Sequence, residues 1–259
     1  MKYREQATVL NIEEIGKEIF SLVLQTRQIA GEAVPGQFVS VYANDRSRLL
    51  PRPISICEAD EESGCLRLVF RIAGEGTREF SRFEVGDKVT IVGPLGNGFP
   101  IERAEEKRVF LIGGGIGIPP MVQLDHTLEE MGAAADVTAV LGFRDEQFLL
   151  EDFSCECLIA TEDGSAGTRG NVLDAIRENG RKADVIYACG PTPMLRALKA
   201  FAEEEGIECW LSLEEKMACG IGACLSCVCR STEMDEHSQV NNKRVCTEGP
   251  VFLSTDIEL

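Results

Sequence analysis

Five cysteines crowd the last stretch of this chain, and their spacing is its strongest chemical signal. The run Met217-Ala218-Cys219-Gly220-Ile221-Gly222-Ala223-Cys224-Leu225-Ser226-Cys227-Val228-Cys229 is followed by Cys246 in Val245-Cys246-Thr247-Glu248-Gly249-Pro250. Cys219, Cys224 and Cys227 form C-x4-C-x2-C, with Cys246 as a distant fourth, which is the spacing of a plant-type [2Fe-2S] cluster. The long first gap lets the loop wrap an iron–sulfur core. Its glycines and alanine keep side chains clear, so backbone N–H groups are free to bond sulfur and raise the reduction potential. Four thiolates can also hold structural zinc, but zinc sites use paired C-x2-4-C knuckles, and Cys246 stands alone. Cys229 is the spare, read as a packed thiol.

Two further motifs suit a flavin. Arg52-Pro53-Ile54-Ser55 follows a turn and opens a strand; an arginine suits a dinucleotide pyrophosphate, and a serine hydroxyl suits the reactive ring nitrogen. Alone, such an arginine is as well read as a solvated charge. Val69-Phe70-Arg71 and Gly74-Glu75-Gly76-Thr77 add weight. Gly76-Thr77 is expected to begin a short helical stretch, Arg78–Phe83, whose free N–H groups face phosphate; the competing reading is a plain loop.

A second glycine run, Gly113-Gly114-Gly115-Ile116-Gly117-Ile118-Pro119-Pro120, lies between an expected strand and helix, the context a dinucleotide loop requires. The alternative is a tight packing turn. Cys189-Gly190-Pro191 occupies a similar strand-to-helix junction, where a small thiol and a glycine would let a nicotinamide ring reach the flavin. Glu162 and Asp163 follow the third strand of this half; carboxylates there suit a ribose diol and disfavour a 2′-phosphate, hence NADH over NADPH. They are otherwise loop charges. His126 and His237, the only histidines, receive no catalytic role.

These residues need a scaffold of three parts. From 1 to 99, short runs at Thr8–Ile12, Ile19–Leu24, Gln37–Tyr42, Pro53–Glu58, Cys65–Ile72 and Lys88–Val92 alternate with turn signals, the mark of a small antiparallel β-barrel. From 100 to 215, strands at Val109–Ile112, Val137–Leu141, Cys155–Ala160, Val185–Ala188 and Glu208–Leu213 alternate with helices at Pro119–Met131, Asn171–Asn179 and Pro193–Glu205. That rhythm implies an α/β domain with a parallel sheet covered on both faces. From 216 to 259 neither rhythm is visible.

The totals bound the rest. A length of 259 residues suits more than one core. A formal net charge of −17 repels phosphate backbones and argues against nucleic acid. No apolar run approaches the roughly 20 residues of a membrane span, and the polar opening lacks a secretory signal core, so the expected location is the cytoplasm. Eleven cysteines in such a chain point to metal or redox chemistry rather than a disulfide scaffold.

Together the motifs resemble the ferredoxin–NADP reductase superfamily. More closely, the chain is similar to the electron-transfer subunits of class B, NAD-dependent dihydroorotate dehydrogenases. The resemblance runs nearly end to end and rests on Arg52–Ser55, Gly76-Thr77, Gly93–Phe99, Gly113–Pro120, Cys189–Pro191, Cys219–Cys229 and Cys246–Phe252. It implies FAD held by Arg52–Ser55, Val69–Arg71 and Gly76-Thr77, and a [2Fe-2S] cluster on Cys219, Cys224, Cys227 and Cys246. It implies an FMN-bearing catalytic partner that oxidises dihydroorotate in pyrimidine synthesis, two copies of each subunit forming a heterotetramer. Many ferredoxin reductases carry a flavin-stacking tyrosine where Ile54 stands, so flavin binding here is expected to lean on phosphate and backbone contacts. The competing functions are a subunit of a sulfide dehydrogenase, hydrogenase or other NAD(P)H–ferredoxin oxidoreductase, and a zinc-stabilised sensor module.

Overall fold

Period-two alternation in the first part of the chain closes into a barrel. The computed structural model describes residues 1–45, 47–132, 134–234 and 239–259; His237 lies outside them. Strands β1 (Tyr3–Gly16), β2 (Ile19–Gln25), β3 (Phe38–Val41), β4 (Arg52–Asp60), β5 (Cys65–Arg71) and β6 (Lys88–Leu95) pair in the closed order β1-β2-β5-β4-β3-β6. Every pairing is antiparallel. Leu22 and Leu24, Leu66, Leu68 and Phe70, and Val89 and Ile91 point inward and fill the lumen, as alternate residues of a strand must. Closure leaves no open sheet edge. Helices α1 (Arg27–Glu32) and α2 (Glu75–Phe80) decorate it. The helical stretch expected at Arg78–Phe83 lies three residues earlier, because Thr77 closes a cap on Gly74.

The second part has β7 (Arg108–Gly114), α3 (Pro119–Met131), β8 (Asp136–Phe143), β9 (Glu156–Thr161), β10 (Thr168–Arg169), α4 (Val172–Asn179), β11 (Val185–Cys189), α5 (Thr192–Glu205) and β12 (Glu208–Ser212). Helix boundaries follow local chemistry. Pro119 and Pro120 occupy the first turn of α3, where a missing N–H costs nothing. The Asn171 side chain caps α4, accepting from Leu173 N–H at 2.9 Å while Asp174 reaches back to Asn171 N–H. Gly132, Gly180 and Gly206 end the three helices in left-handed backbone. The strands are buried on both sides: Phe110 and Ile112 pack with α4 and α5, whereas Val109 and Leu111 pack with α3. Among the described residues no helix is long and apolar enough to cross a membrane.

The sheet runs β10-β9-β8-β7-β11-β12-β15, where β15 (Val251–Leu253) is antiparallel to β12. The strands of 100–215 pair in parallel, as their rhythm implies, and the last part of the chain adds the antiparallel edge. Although neither rhythm is visible from 216 to 259, β13 (Val228–Ser231), β14 (Asn242–Arg244) and β16 (Ile257–Glu258) form a small sheet of their own. These strands have only two to four residues, too few to display a period. Strand order reverses between β7 and β11, the crevice where open α/β sheets bind ligands.

Candidate functional site

A cleft of about 340 Å³ opens between the barrel and the sheet. Arg52, Pro53, Ile54 and Ser55 of β4, Val69, Phe70 and Arg71 of β5, and Thr77 of α2 all line it. The antiparallel neighbours β4 and β5 thus bring two separate motifs to one wall. Gly76 does not line the cleft but supports it, since a β-carbon there would stand 2.5 Å from Arg52 Nε. The Arg52 guanidinium also donates to Leu50 O. Thr77 Oγ1 accepts from Ala73 N–H at 2.9 Å and donates to Gly74 O at 3.1 Å, fixing the start of α2.

The opposite wall comes from beyond the barrel: Ile116, Ser212, Glu214, Met217 and Pro250. The sequence motifs for flavin binding do not include these residues. Their signal is adjacency, because Ile116 sits inside the glycine run, Met217 lies two residues before Cys219 and Pro250 four after Cys246. Glu214 opens into the cleft yet is ringed by protein, and that partial desolvation raises its carboxyl pKa.

The glycine run and Cys189-Gly190-Pro191 meet at the strand-order reversal. Cys189 pairs across β11 with Gly113 on one side and Ser212 on the other. Gly117 lies against the next loop so closely that a β-carbon would stand 2.4 Å from Cys189 O. Gly114 and Gly190 both pack on Met194, and a β-carbon on either would stand 2.5 Å from its side chain. Gly115, at φ +52°, faces open space. Cys189 is buried, and burial first, then nearby Glu214, pushes its thiol up to about 12, with Ser212 opposing. Ser212, the strand partner of Cys189, and Ile116, inside the glycine run, also line the cleft. Glu162 and Asp163 stand exposed past β9, two strands from β7. Asp163 accepts from Ser165 N–H at 2.9 Å, which lowers its pKa.

The cysteine loop packs against the barrel and the sheet together. A β-carbon on Gly220 would meet Ser40 Oγ at 2.8 Å, so the loop lies on β3. Asn97 N–H donates to Gly249 O at 2.7 Å, and Asn97 Nδ2 to Glu248 O at 2.9 Å. Cys227 and Cys246 are buried in the core that includes Phe38 and Leu95; Cys224 is exposed. Among the expected ligands, Cys219 is influenced by Cys224, and Cys246 by Cys227 and Cys219; among the described residues no three such donors converge on a single metal-ion position. Burial opposes ionisation of Cys219, but Ile221 N–H at 3.5 Å, the Cys224 thiol and Ala223 N–H at 3.3 Å overcome it and bring the thiol down to about 6. Cys246 is pushed up to about 11, mainly by burial and by Cys227. Cys229 lies outside this group, its Sγ 3.6 Å from Lys243 O on the neighbouring strand.

The chemistry of the donor set fits an iron–sulfur unit: four soft thiol donors, N–H groups aimed at Cys219 sulfur, and, against the same loop, a buried Thr247 Oγ1 with no hydrogen-bond partner among the described residues. Elsewhere, Cys57, Cys155, Cys157 and Cys209 have raised pKa values, chiefly through burial. His126 Nε2 is hydrogen-bonded to Asp152 O at 2.7 Å, away from the cleft.

Comparison with known proteins agrees with this geometry. Residues 6–99 match the oxidoreductase FAD-binding domain, and residues 214–258 match the iron–sulfur cluster binding domain of dihydroorotate dehydrogenase B. The cofactors of the chain are therefore FAD and an iron–sulfur cluster, and structural zinc is set aside. A solved structure described for the NADH-dependent reduced ferredoxin–NADP oxidoreductase superposes with TM-score 0.85 at 29% identity, covering 98% of this chain and 90% of that one. The dihydroorotate dehydrogenase B (NAD(+)) electron transfer subunit of Geobacillus sp. (strain WCH70) is 42% identical over 100% of both chains. That of Geobacillus kaustophilus (strain HTA426) is 41% identical over 99% of both. With end-to-end identity at this level, the chain belongs to the family of dihydroorotate dehydrogenase B electron transfer subunits.

Proposed function

We propose that this chain carries electrons between NAD and an FMN-containing dihydroorotate dehydrogenase catalytic subunit, in a heterotetramer with two copies of each, in the cytoplasm. When bound, FAD interconverts a two-electron hydride and single electrons, and a [2Fe-2S] cluster relays those electrons singly. During dihydroorotate oxidation the flow runs from the partner toward NAD⁺.

The chain's own residues divide the work among a flavin domain (1–99), a nucleotide domain (100–215) and a cluster segment (216–259). Arg52 offers charge to the flavin pyrophosphate, with Gly76 leaving room for its guanidinium. Ser55 offers a hydroxyl, and Val69–Arg71 and Thr77 shape the wall. Gly115 leaves open space for a dinucleotide at the sheet, Gly113, Gly114 and Gly117 let the loop that would hold it pack closely, and Cys189, Gly190 and Pro191 give the nicotinamide a small, neutral floor. Glu162 and Asp163 favour the unphosphorylated ribose of NAD. Cys219, Cys224, Cys227 and Cys246 hold the metal unit. Exposed Cys224, between exposed Ile221 and Leu225, suits an outlet facing the partner.

The observation that carries this reading is that one cleft is lined by the barrel motifs and by Met217 and Pro250, which bracket the cysteines. Co-expression with an FMN-containing dihydroorotate dehydrogenase tests it. Co-elution with FMN, FAD, iron and sulfide, together with NAD⁺ reduction by dihydroorotate, supports it; failure to associate contradicts it. The likeness to the NADH-dependent ferredoxin–NADP oxidoreductase favours a second reading, with the same cofactors and a different partner. Capture of a ferredoxin-dependent partner in place of the FMN subunit would select it.

A further inference from the structure

The hydroxyl of Thr247 is buried without a hydrogen-bond partner among the described residues. Its surroundings are fixed: Thr247 N–H donates to Arg244 O at 3.1 Å, and Asn97 Nδ2 reaches Thr247 O at 3.4 Å. The side chain abuts the cysteine loop. A β-carbon built on Gly222 would stand 2.8 Å from Thr247 Cγ2 and 3.2 Å from Thr247 Oγ1. Arg244 Nη1 in turn donates to Gly222 O at 3.4 Å. The hydroxyl is therefore held where the cysteine loop meets the segment that carries Cys246. A threonine O–H left unpaired away from water is costly, because its desolvation is not repaid. Such a group is usually answered by an acceptor the polypeptide does not itself supply.

We propose that Thr247 Oγ1 donates a hydrogen bond to a sulfur of the [2Fe-2S] unit, and that this bond raises the unit's reduction potential. The inference rests on the cluster assignment above and extends it to a residue outside the ligand set. Reduction adds negative charge that spreads onto sulfur, so a donor aimed there stabilises the reduced state more than the oxidised state. Thr247 is a positioning and tuning residue, since it neither ligates iron nor exchanges electrons.

The test is the cluster's midpoint potential, read by redox titration with electron paramagnetic resonance on the anaerobically purified chain. T247V keeps shape and removes the donor. It should make reduction harder by up to about tenfold in equilibrium constant, which is about 59 mV for one electron, and T247S should restore the wild-type value. Resonance Raman spectra give a second readout. Exchange into D2O should shift Fe–S bands more in wild type and T247S than in T247V. If the valine variant does not retain iron, T247A, which also lacks the hydroxyl, reads the same potential and the same isotope shift. A wild-type potential in T247V or T247A, or isotope shifts unaffected by the hydroxyl, overturns the proposal. Wild-type protein without iron would instead overturn the cluster reading on which it rests.

Discussion

Gly76 makes room for Arg52. A β-carbon on Gly76 would stand 2.5 Å from Arg52 Nε and 2.8 Å from its Cζ. Because the clash is with the far end of a flexible side chain, Gly76→Ala should fold and displace the guanidinium. It should therefore resemble Arg52→Ala, which is expected to weaken FAD binding by about 1–3 kcal/mol, or about 5- to 150-fold. Equilibrium dialysis against FAD reads this directly. Unchanged affinity in both variants would remove Arg52 from the flavin site.

The cysteines should separate cleanly. Cys224→Ser should lose iron and the cluster's absorbance yet still let NADH reduce bound flavin, because Cys224 is exposed and does not line the cleft. Cys229→Ser should keep iron, since Cys229 faces Lys243 O on the adjacent strand. Iron and sulfide assays on the two variants check the pair. Iron lost with Cys229 and kept without Cys224 would reverse the ligand set.

At the strand-order reversal, Gly117→Ala should be the more damaging glycine change. Its β-carbon would meet backbone, 2.4 Å from Cys189 O and 2.6 Å from Gly190 N, and backbone cannot step aside as a side chain can. The two loops must then separate, which should cost several-fold in flavin reduction by NADH and roughly 1–3 kcal/mol of stability. Gly115→Ala meets no atom within 4 Å and bears only the strain of φ +52°, roughly 1 kcal/mol. Stopped-flow flavin reduction and thermal melts rank the two. Equal behaviour would mean that the loops do not depend on close approach.

These contrasts show what is legible in the residues themselves. The barrel strands announce themselves through alternation, as in Leu66-Arg67-Leu68, and the helix ends through Pro119, Asn171 and Gly206, because both signals are local. Three of the proposed ligands are suggested by C-x4-C-x2-C, and the fourth, Cys246, only by following them at a distance. The second wall of the flavin cleft is not. Glu214, Met217 and Pro250 reach it through long-range packing, with the last part of the chain returning to β3 and β12, and no local pattern encodes that return. Strands β13, β14 and β16 are hidden for a related reason, since each is stabilised by a distant partner rather than by its own period.

Alkaline pH should destabilise the fold through its buried thiols. Burial pushes Cys209 up to about 12 from the ordinary 9.0, with Ser254 opposing, and Cys189 behaves alike. Below pH 9 both folded and unfolded chains keep these protons, and the contribution is intact. As pH rises past 9 the unfolded chain releases them and the folded chain does not, so stability falls until about 12. Each thiol accounts for roughly 1–2 kcal/mol by pH 10. Urea midpoints at pH 8 and pH 10 should differ less in Cys209→Ala than in the parent chain. The same difference in both would show that Cys209 is not linked to folding.

The most direct measurement is cofactor analysis of the anaerobically isolated chain, followed by titration with NADH. Iron and acid-labile sulfide should each be found at about two per FAD, and NADH should bleach first the flavin and then the cluster absorbance. Protein without iron and sulfide, or a cluster that stays oxidised beside fully reduced flavin under a reductant of sufficient strength, would contradict an electron path between them.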